Sequence, residues 1–355
     1  MQTDSVAWMM QECGLDELKE GIEGLFPQWN LSLEQILEAL FRGDLQSCFA
    51  LLKEGISDQL VVEVSGLKGI FINLLLIGIL SALLANIADI FRNRQIADVS
   101  FYFAYLFMVI LLLGCFEQAA GTMSELTQGA VLFMKLFLPT YFMVVGVAAG
   151  GVTAGGVYQM LLCLIYLVQV GISNLILPLI YAYVFLNMVN GLWSEERLVL
   201  LMEVLKKGVR LMLKAVTTAV MGVSIIQSMV TPVIDSLKGA ALQKAVSVIP
   251  GLGSLTGGVS EMMIGSAVLI KNSVGTCMLL LFAAFCAIPL LKLFCMAALL
   301  KGAASLMGLL ADKRMTACAD RMGEGCILLF QTAVTVLILF VITVAIVSYT
   351  TNRGF

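Results

Sequence analysis

Long apolar runs recur along the chain from about residue 67 to residue 350, with short polar stretches between them. Each run approaches the roughly 20 residues that an α-helix needs to cross a bilayer. Apolar and polar positions do not alternate within the runs, which argues against barrel strands. The pattern predicts an all-α polytopic bundle of seven or eight transmembrane helices within residues 67–350. The predicted spans are residues 67–89, 99–118, 130–149, 156–173, 175–193, 215–234, 273–300 and 326–350.

The fourth and fifth spans leave an alternative open, because only one residue separates them. They form either two helices or one long helix bent at Pro178, since membrane helices tolerate proline. Basic residues favour cytoplasmic loops, and basic groups follow the first, fifth and seventh spans. Eight spans with the N-terminus outside place all three groups in the cytoplasm, so the rule favours eight spans, or seven with another segment re-entrant. The groups are Arg92 and Arg94; Arg197, Lys206, Lys207, Arg210 and Lys214; and Lys301, Lys313, Arg314 and Arg321.

Two further segments do not read as simple spans. Residues 236–272 are glycine-rich and moderately apolar, which predicts an amphipathic helix, a turn and a re-entrant or interfacial helix. Residues 301–325 predict an amphipathic cytoplasmic helix along the interface. The candidate re-entrant turn consists of Pro250, Gly251, Gly253 and Gly257.

Residues 1–66 predict a small helical region outside the cytoplasm. They contain 12 of the 24 acidic side chains but only 3 of the 21 basic ones. Apolar positions near a 3.6-residue period follow Ser32, so we expect helices that pack on themselves or the membrane, or that dock a partner. The first residues show no signal-peptide pattern, so we expect the native chain to carry a leader that this sequence lacks.

Composition narrows the chemistry. The chain is 60% apolar and 13% charged, whereas a soluble domain is nearer 45–50% and about 25%. It contains no histidine, which excludes Ser-His and Cys-His dyads and HExxH zinc sites. Its nine cysteines form no CxxC pair, and only Cys13 and Cys48 are candidates for a disulfide. We therefore predict no catalytic residue, cofactor or metal, and no enzyme.

Glycine and charge mark the candidate packing or pore positions, which are Gly146, Gly150, Gly151, Gly155, Pro289 and Lys292. The glycines form two GxxxG spacings, which indicate close helix packing or a helix break at a substrate site. Lys292 lies mid-span, where charge usually faces a cavity or a partner.

Other polar residues lie within or beside the spans. Glu117 and Lys135 lie near span edges, and Lys135 can extend towards the interface. Asn187 and Asn190 can bond between helices.

Several stretches resemble one family in their order of glycine, proline and lysine. They are IPGLGSLTGGVSEMMIGSAVLIKNSVG, AIPLLKLF, the run from ADRMGEG to ILFVITVAIV, GGVTAGGVYQM and LPLIYAYVFLNMVNGL. Over residues 65–350 the chain resembles the stage III sporulation protein AE family of endospore-forming Firmicutes. The resemblance assigns no catalytic residue, and it covers little of residues 1–66.

The resemblance implies a mother-cell protein integral to the membrane around the engulfed forespore. It implies partnership with the other stage III A operon proteins, and through them with stage II sporulation protein Q, in a secretion or feeding channel. It also implies a signal sequence, in agreement with a missing leader. The leading hypothesis is a non-enzymatic channel subunit that acts as gate or platform. Assembly into a homo-oligomer is left open, and no nucleic acid is expected as a partner. The alternatives are an autonomous secondary transporter and a scaffold without a pore.

Overall fold

The computed structural model describes residues 71–80, 94–149, 166–192, 197–246, 257–309 and 312–350, with single positions at 50, 66, 68, 69, 83 and 164. These residues are helical or lie in short connections, so the predicted all-α class is confirmed for the described part of the chain. Six helices are named here in chain order. They are α1 Phe71–Leu80, α2 Arg94–Ala149, α3 Tyr166–Asn190, α4 Val199–Val246, α5 Gly257–Met307 and α6 Lys313–Thr350.

Four stretches of the described residues are long and apolar enough to cross a membrane. The predicted count of seven or eight spans is therefore not confirmed. Part of the difference arises because predicted spans 67–89 and 156–173 lie partly outside the described residues. The four stretches are Asp98–Phe137, Tyr166–Asn190, Met278–Met307 and Lys313–Thr343.

The predicted spans 99–118 and 130–149 belong to one helix, α2, and are not separated by a loop. The connecting residues, 119–129, contain glycine, serine and glutamate but no proline. The hydroxyls of Thr122 and Thr127 donate to the carbonyls of Gln118 and Met123 one turn earlier, so they bond within the helix.

Helix α3 runs continuously through Pro178. Over residues 166–190 the chain therefore follows the alternative in which the fourth and fifth predicted spans form one long helix. A π-helical turn, Ile172–Ile176, ends two residues before this proline. Proline lacks an N–H and crowds the preceding turn, and a widened turn relieves that conflict.

The predicted re-entrant segment 236–272 is only partly described. Its first residues end α4, its last residues begin α5, and residues 247–256 lie outside the described chain. Residues 301–325 are divided between the end of α5 and the start of α6 rather than forming one separate helix. Asp312 caps α6, because its carboxylate accepts a hydrogen bond from the Arg314 N–H at 2.8 Å. Of residues 1–66, only positions 50 and 66 are described, so the helical N-terminal region and the Cys13–Cys48 pair stay predictions.

Contacts with α6 show which helices run parallel to it and which run antiparallel. Helix α2 runs parallel to α6, because Tyr105 contacts Cys318 near the start of both helices and Phe133 contacts Phe340 farther along. Helix α4 runs the same way, whereas α3 and α5 are antiparallel. Helix α1 packs beside the end of α5, with Gly78 next to Met307.

The bundle has two ends with different interiors. We call the level of Glu324 the network end and the level of Phe282 and Phe340 the aromatic end. At the aromatic end these two rings stack with centroids 3.6 Å apart, and Phe133 lies 5.2 Å from Phe282. All three rings are 3% exposed or less, so they form a closely packed core between α2, α5 and α6.

Candidate functional site

Glu324 on α6 lies at the centre of a cluster of charges contributed by three helices. Its Oε2 is 2.5 Å from Lys206 Nζ and 3.6 Å from an Arg210 guanidinium nitrogen, both on α4. Its Oε1 is 2.9 Å from Lys301 Nζ on α5. Lys301 Nζ also lies 2.8 Å from Asp320 Oδ1, one turn before Glu324. We call these five residues the ion network.

The ion network is half-buried and carries an excess of positive charge. The Glu324 side chain is 19% exposed and that of Lys301 is 30% exposed, so water screens their attraction only in part. Three cations share two carboxylates. Removing Glu324 would leave Asp320 as the one remaining carboxylate of the ion network for its three basic side chains. Removing one partner in this way is the costly way to disrupt a sheltered ion pair.

Glycines on both sides of Glu324 allow the neighbouring helices to approach. A Cβ at Gly323 would lie 3.0 Å from Cγ of Lys301, and one at Gly325 would lie 2.8 Å from Cγ2 of Val184 on α3. Larger side chains at either position would press against these helices. The sequence Gly-Glu-Gly therefore brings the carboxylate to the place where α3 and α5 pack on α6.

A set of buried polar groups lies next to the ion network, towards the start of α6. The Tyr105 hydroxyl donates to the Met188 carbonyl at 2.7 Å and contacts the Cys318 sulfur at 3.4 Å. The Asn187 amide donates to the Cys318 carbonyl at 2.9 Å. The interhelical role predicted for Asn187 is thereby confirmed. Asn190 instead accepts from the Leu198 N–H at 3.0 Å, in the connection before α4.

The aromatic end contains a small cavity of about 50 Å³ between α2, α3, α4, α5 and α6. Its lining is almost wholly apolar and includes Ile172 of the π-helical turn, Phe282 and Phe340, with Gln169 among the few polar contributors. Cavities that hold a benzene-sized molecule are nearer 150 Å³. In this arrangement the cavity accommodates at most a very small apolar group.

The predicted packing or pore residues do not converge on the ion network. Lys292 and Pro289 are half-buried on α5, but the α5 cation of the network is Lys301. Gly146 lies in α2 and Gly257 begins α5. The remaining candidates, Gly150, Gly151, Gly155, Pro250, Gly251 and Gly253, lie outside the described residues. Their roles stay predictions.

Sequence reasoning did not identify Glu324, although one signal was available. The positive-inside rule placed Lys206, Arg210 and Lys301 on the same side of the membrane, and an acidic residue between two glycines lies in the ADRMGEG stretch. Its partners on α4 are more than a hundred residues away in the chain, so no local period could reveal the pairing. Within the described residues, no group of three or more Cys, Asp or Glu side chains is placed to hold a metal.

Comparisons with known proteins agree with one another. The sequence model of the family described as Stage III sporulation protein AE matches residues 31–351. The curated Stage III sporulation protein AE of Bacillus subtilis (strain 168) is 23% identical over 278 residues, which cover 77% of this chain and 69% of that protein. No solved structure matches the chain. With a family match over most of its length and four helices suited to a bilayer among its described residues, the chain belongs to the stage III sporulation protein AE family and is a sporulation membrane protein.

Proposed function

We propose that this protein is a non-enzymatic integral membrane subunit of a sporulation-specific secretion or feeding channel between mother cell and forespore. It acts there as a gate or platform in the mother-cell-derived outer forespore membrane. Its partners are the other stage III A operon proteins and, through them, stage II sporulation protein Q. The observation that carries the proposal is the ion network, which couples three helices inside an apolar bundle.

The ion network has the properties that a gating element needs. Lys206, Arg210 and Lys301 compete for the carboxylate of Glu324, so a small shift of α4 or α5 exchanges one ion pair for another. Gates use elements with discrete alternative arrangements of this kind, because a packed interior does not deform continuously. Family membership supplies the sporulation context.

The surface around the ion network suits membrane insertion. Leu200, Val204 and Leu211 on α4 are 77%, 65% and 69% exposed, although they flank the basic residues of the network. On α2, Phe103 and Phe107 are 61% and 60% exposed at the same end. Side chains of this type are stable where lipid or protein, rather than water, surrounds them.

Affinity purification of the tagged full chain from membranes of sporulating cells, followed by mass spectrometry, tests this function. We expect the other stage III A operon proteins to be recovered with it. Glu324→Gln should lower the heat-resistant spore count by at least about tenfold if the sheltered ion network is essential. Glu203→Gln is the matched control, because Glu203 pairs with Lys207 at 3.6 Å and is 57% exposed. Equal spore counts for both variants would contradict the role of the network.

An autonomous secondary transporter is the second candidate, and the cavity beside the π-helical turn favours it. Irregular helical turns are frequent at functional sites, and Ile172 of the π-helical turn lines the cavity. The chain recovered alone in mild detergent, with solute uptake by vesicles containing the purified protein, would favour this candidate. Lys292→Leu adds a test of the mid-span charge, since unchanged spore formation would exclude an essential role for it in either function.

A further inference from the structure

The outward face of α2 changes character along its length. Near the network end it is strongly apolar, and Ile110 is 64% exposed and Leu113 47% exposed. One turn farther, the same face becomes polar and remains exposed to the end of the apolar stretch. We call this second part the polar stripe. Its members are Glu117, Gln118, Gly121, Glu125, Gln128 and Lys135, with Leu132 on the same line.

The polar stripe is a straight seam and not a scatter of surface residues. From Gln118 onward its positions recur at alternating steps of three and four residues, which keeps them on one line of the helix. The opposite face of the same segment is deeply buried, with Met123 and Phe133 both 0% exposed. No ion pair joins Glu117, Glu125 or Lys135 to another described residue.

The polar stripe lies beside membrane-type sequence. Phe133 contacts Phe282 and Phe340, and Phe116 contacts Tyr181 of α3, so three helices flank this half of α2. The flanking segments contain no charged residue over 166–190, 272–291 and 325–350. The polar stripe is therefore level with segments whose composition suits the hydrocarbon of a bilayer. Charge there costs about 2.5–3.5 kcal/mol per residue on insertion scales, so lipid is an unfavourable neighbour.

We propose that the polar stripe lines a water-filled path at the centre of a ring of copies of this chain. This inference rests on the proposed channel function and assigns its wall. A helix from another protein would have to bring two positive charges to membrane depth to neutralise Glu117 and Glu125. In a ring of copies around an axis normal to the membrane, each glutamate faces the same glutamate of the other copies. Water between them solvates the carboxylates, so no positively charged partner helix is needed.

Ring symmetry gives the path a defined polarity. Glu117 and Glu125 form two carboxylate rings about 12 Å apart along the axis, and Lys135 forms a basic ring about 15 Å beyond the second. Carboxylate rings attract cations, as in cation-selective pores. The basic ring formed by Lys135 repels cations. The part of the path that attracts cations therefore begins at Glu117 and ends before Lys135.

Substituted cysteines in the full-length protein test this arrangement in membranes of sporulating cells. Gln128→Cys is placed in the polar stripe, and Ile338→Cys is the depth-matched control, because Ile338 on α6 is 41% exposed and lies between two leucines in the chain. The probe is a membrane-impermeant sulfonated maleimide, supplied on both sides. The parent protein gives the background from its native cysteines.

We expect Gln128→Cys to react at least about tenfold faster than Ile338→Cys, because only a thiol in water ionises readily to the reactive thiolate. We also expect two differently tagged copies to purify together in mild detergent. Equal slow labelling at both positions would overturn the water-filled path, and fast labelling without copurification would overturn the ring of copies. Either failure leaves the proposed function intact if spores form normally and the operon partners are still recovered. Recovery of the tagged protein without the other stage III A operon proteins would count against the proposed function instead.

Discussion

The two ends of the bundle are organised in opposite ways. At the network end the interior contains ion pairs around Glu324, while the outer face of α2 is apolar through Leu113. At the aromatic end the interior consists of stacked rings around Phe282, while the outer face of α2 carries Glu125 and Lys135. The comparison shows that, along α2, the polarity of a side chain does not follow from whether that side chain is buried. Each end therefore needs a different neighbour.

The most severe disruption should come at the aromatic end. Phe282→Ala removes a 0% exposed ring that stacks on Phe340 and borders the existing cavity, so the surroundings cannot easily close the gap. We expect a loss of about 3–5 kcal/mol in stability. Thermal unfolding of the detergent-purified protein measures it. Phe294→Ala is the control at a 52% exposed ring, and equal losses for the two variants would contradict a packed aromatic core.

Disruption of the network end should cost less. Glu324→Gln keeps the shape of the side chain but removes the charge shared by Lys206, Arg210 and Lys301. We expect a loss of about 2–3 kcal/mol, and less in high salt because screening weakens repulsion among the remaining cations. Asp320→Asn should cost less than about 1 kcal/mol, since Asp320 is 48% exposed. Melting temperatures of both variants at low and high salt would decide. A larger effect for Asp320→Asn would show that Glu324 is not the centre.

A single methyl group tests how closely the helices approach beside the ion network. A Cβ at Gly191 would overlap the Tyr105 hydroxyl, which bonds to the Met188 carbonyl. We expect Gly191→Ala to destabilise the protein by about 1–2 kcal/mol. Gly208→Ala on α4 is the matched control, because nothing lies near its added methyl group. It should be neutral or stabilise the helix by up to about 1 kcal/mol. Similar melting shifts of the same sign would contradict this contact.

The smallest effect should be at the start of α6. The Arg314 guanidinium lies 3.7 Å above the centre of the Phe101 ring and also pairs with Asp312. Arg314→Gln should therefore cost about 0.5–1 kcal/mol, the value of an exposed cation–π contact. Arg314→Lys retains the charge and should restore part of that loss. Melting curves that place Arg314→Gln above the parent would exclude the contact as a stabilising one.

Sequence alone was sufficient for the fold class but not for the site. Apolar runs long enough to cross a bilayer predict helices regardless of what packs beside them, so α3, α5 and α6 were recognisable from the sequence. Two separate spans were predicted on either side of residues 119–129, whereas the structure continues α2 through these residues. A polar stretch that remains helical looks like a loop in hydropathy, because hydropathy does not record backbone hydrogen bonding.

The candidate site was hidden for a different reason. Basic groups after the fifth and seventh predicted spans were predictable as sets, but their pairing with Glu324 depends on how three helices pack. Asn187 was predicted to bond between helices, and its bond to the Cys318 carbonyl confirms this. A buried amide must find some partner, whereas the identity of that partner is set by the packing of α3 on α6.

The π-helical turn in α3 has a consequence for the chain's tolerance of insertions and deletions. Ile172–Ile176 contains one residue more than a regular turn needs, and the wider turn absorbs it, so the segments before and after keep nearly the alignment of a continuous α-helix. Deleting one residue there would restore an ordinary α-helix and leave both segments close to their present alignment. Deleting one residue from a regular turn of α3 would instead rotate the preceding segment by about 100° relative to the segment containing Asn187, and the face that now borders the cavity would turn towards another neighbour. A one-residue deletion should therefore be better tolerated in this turn than elsewhere in α3.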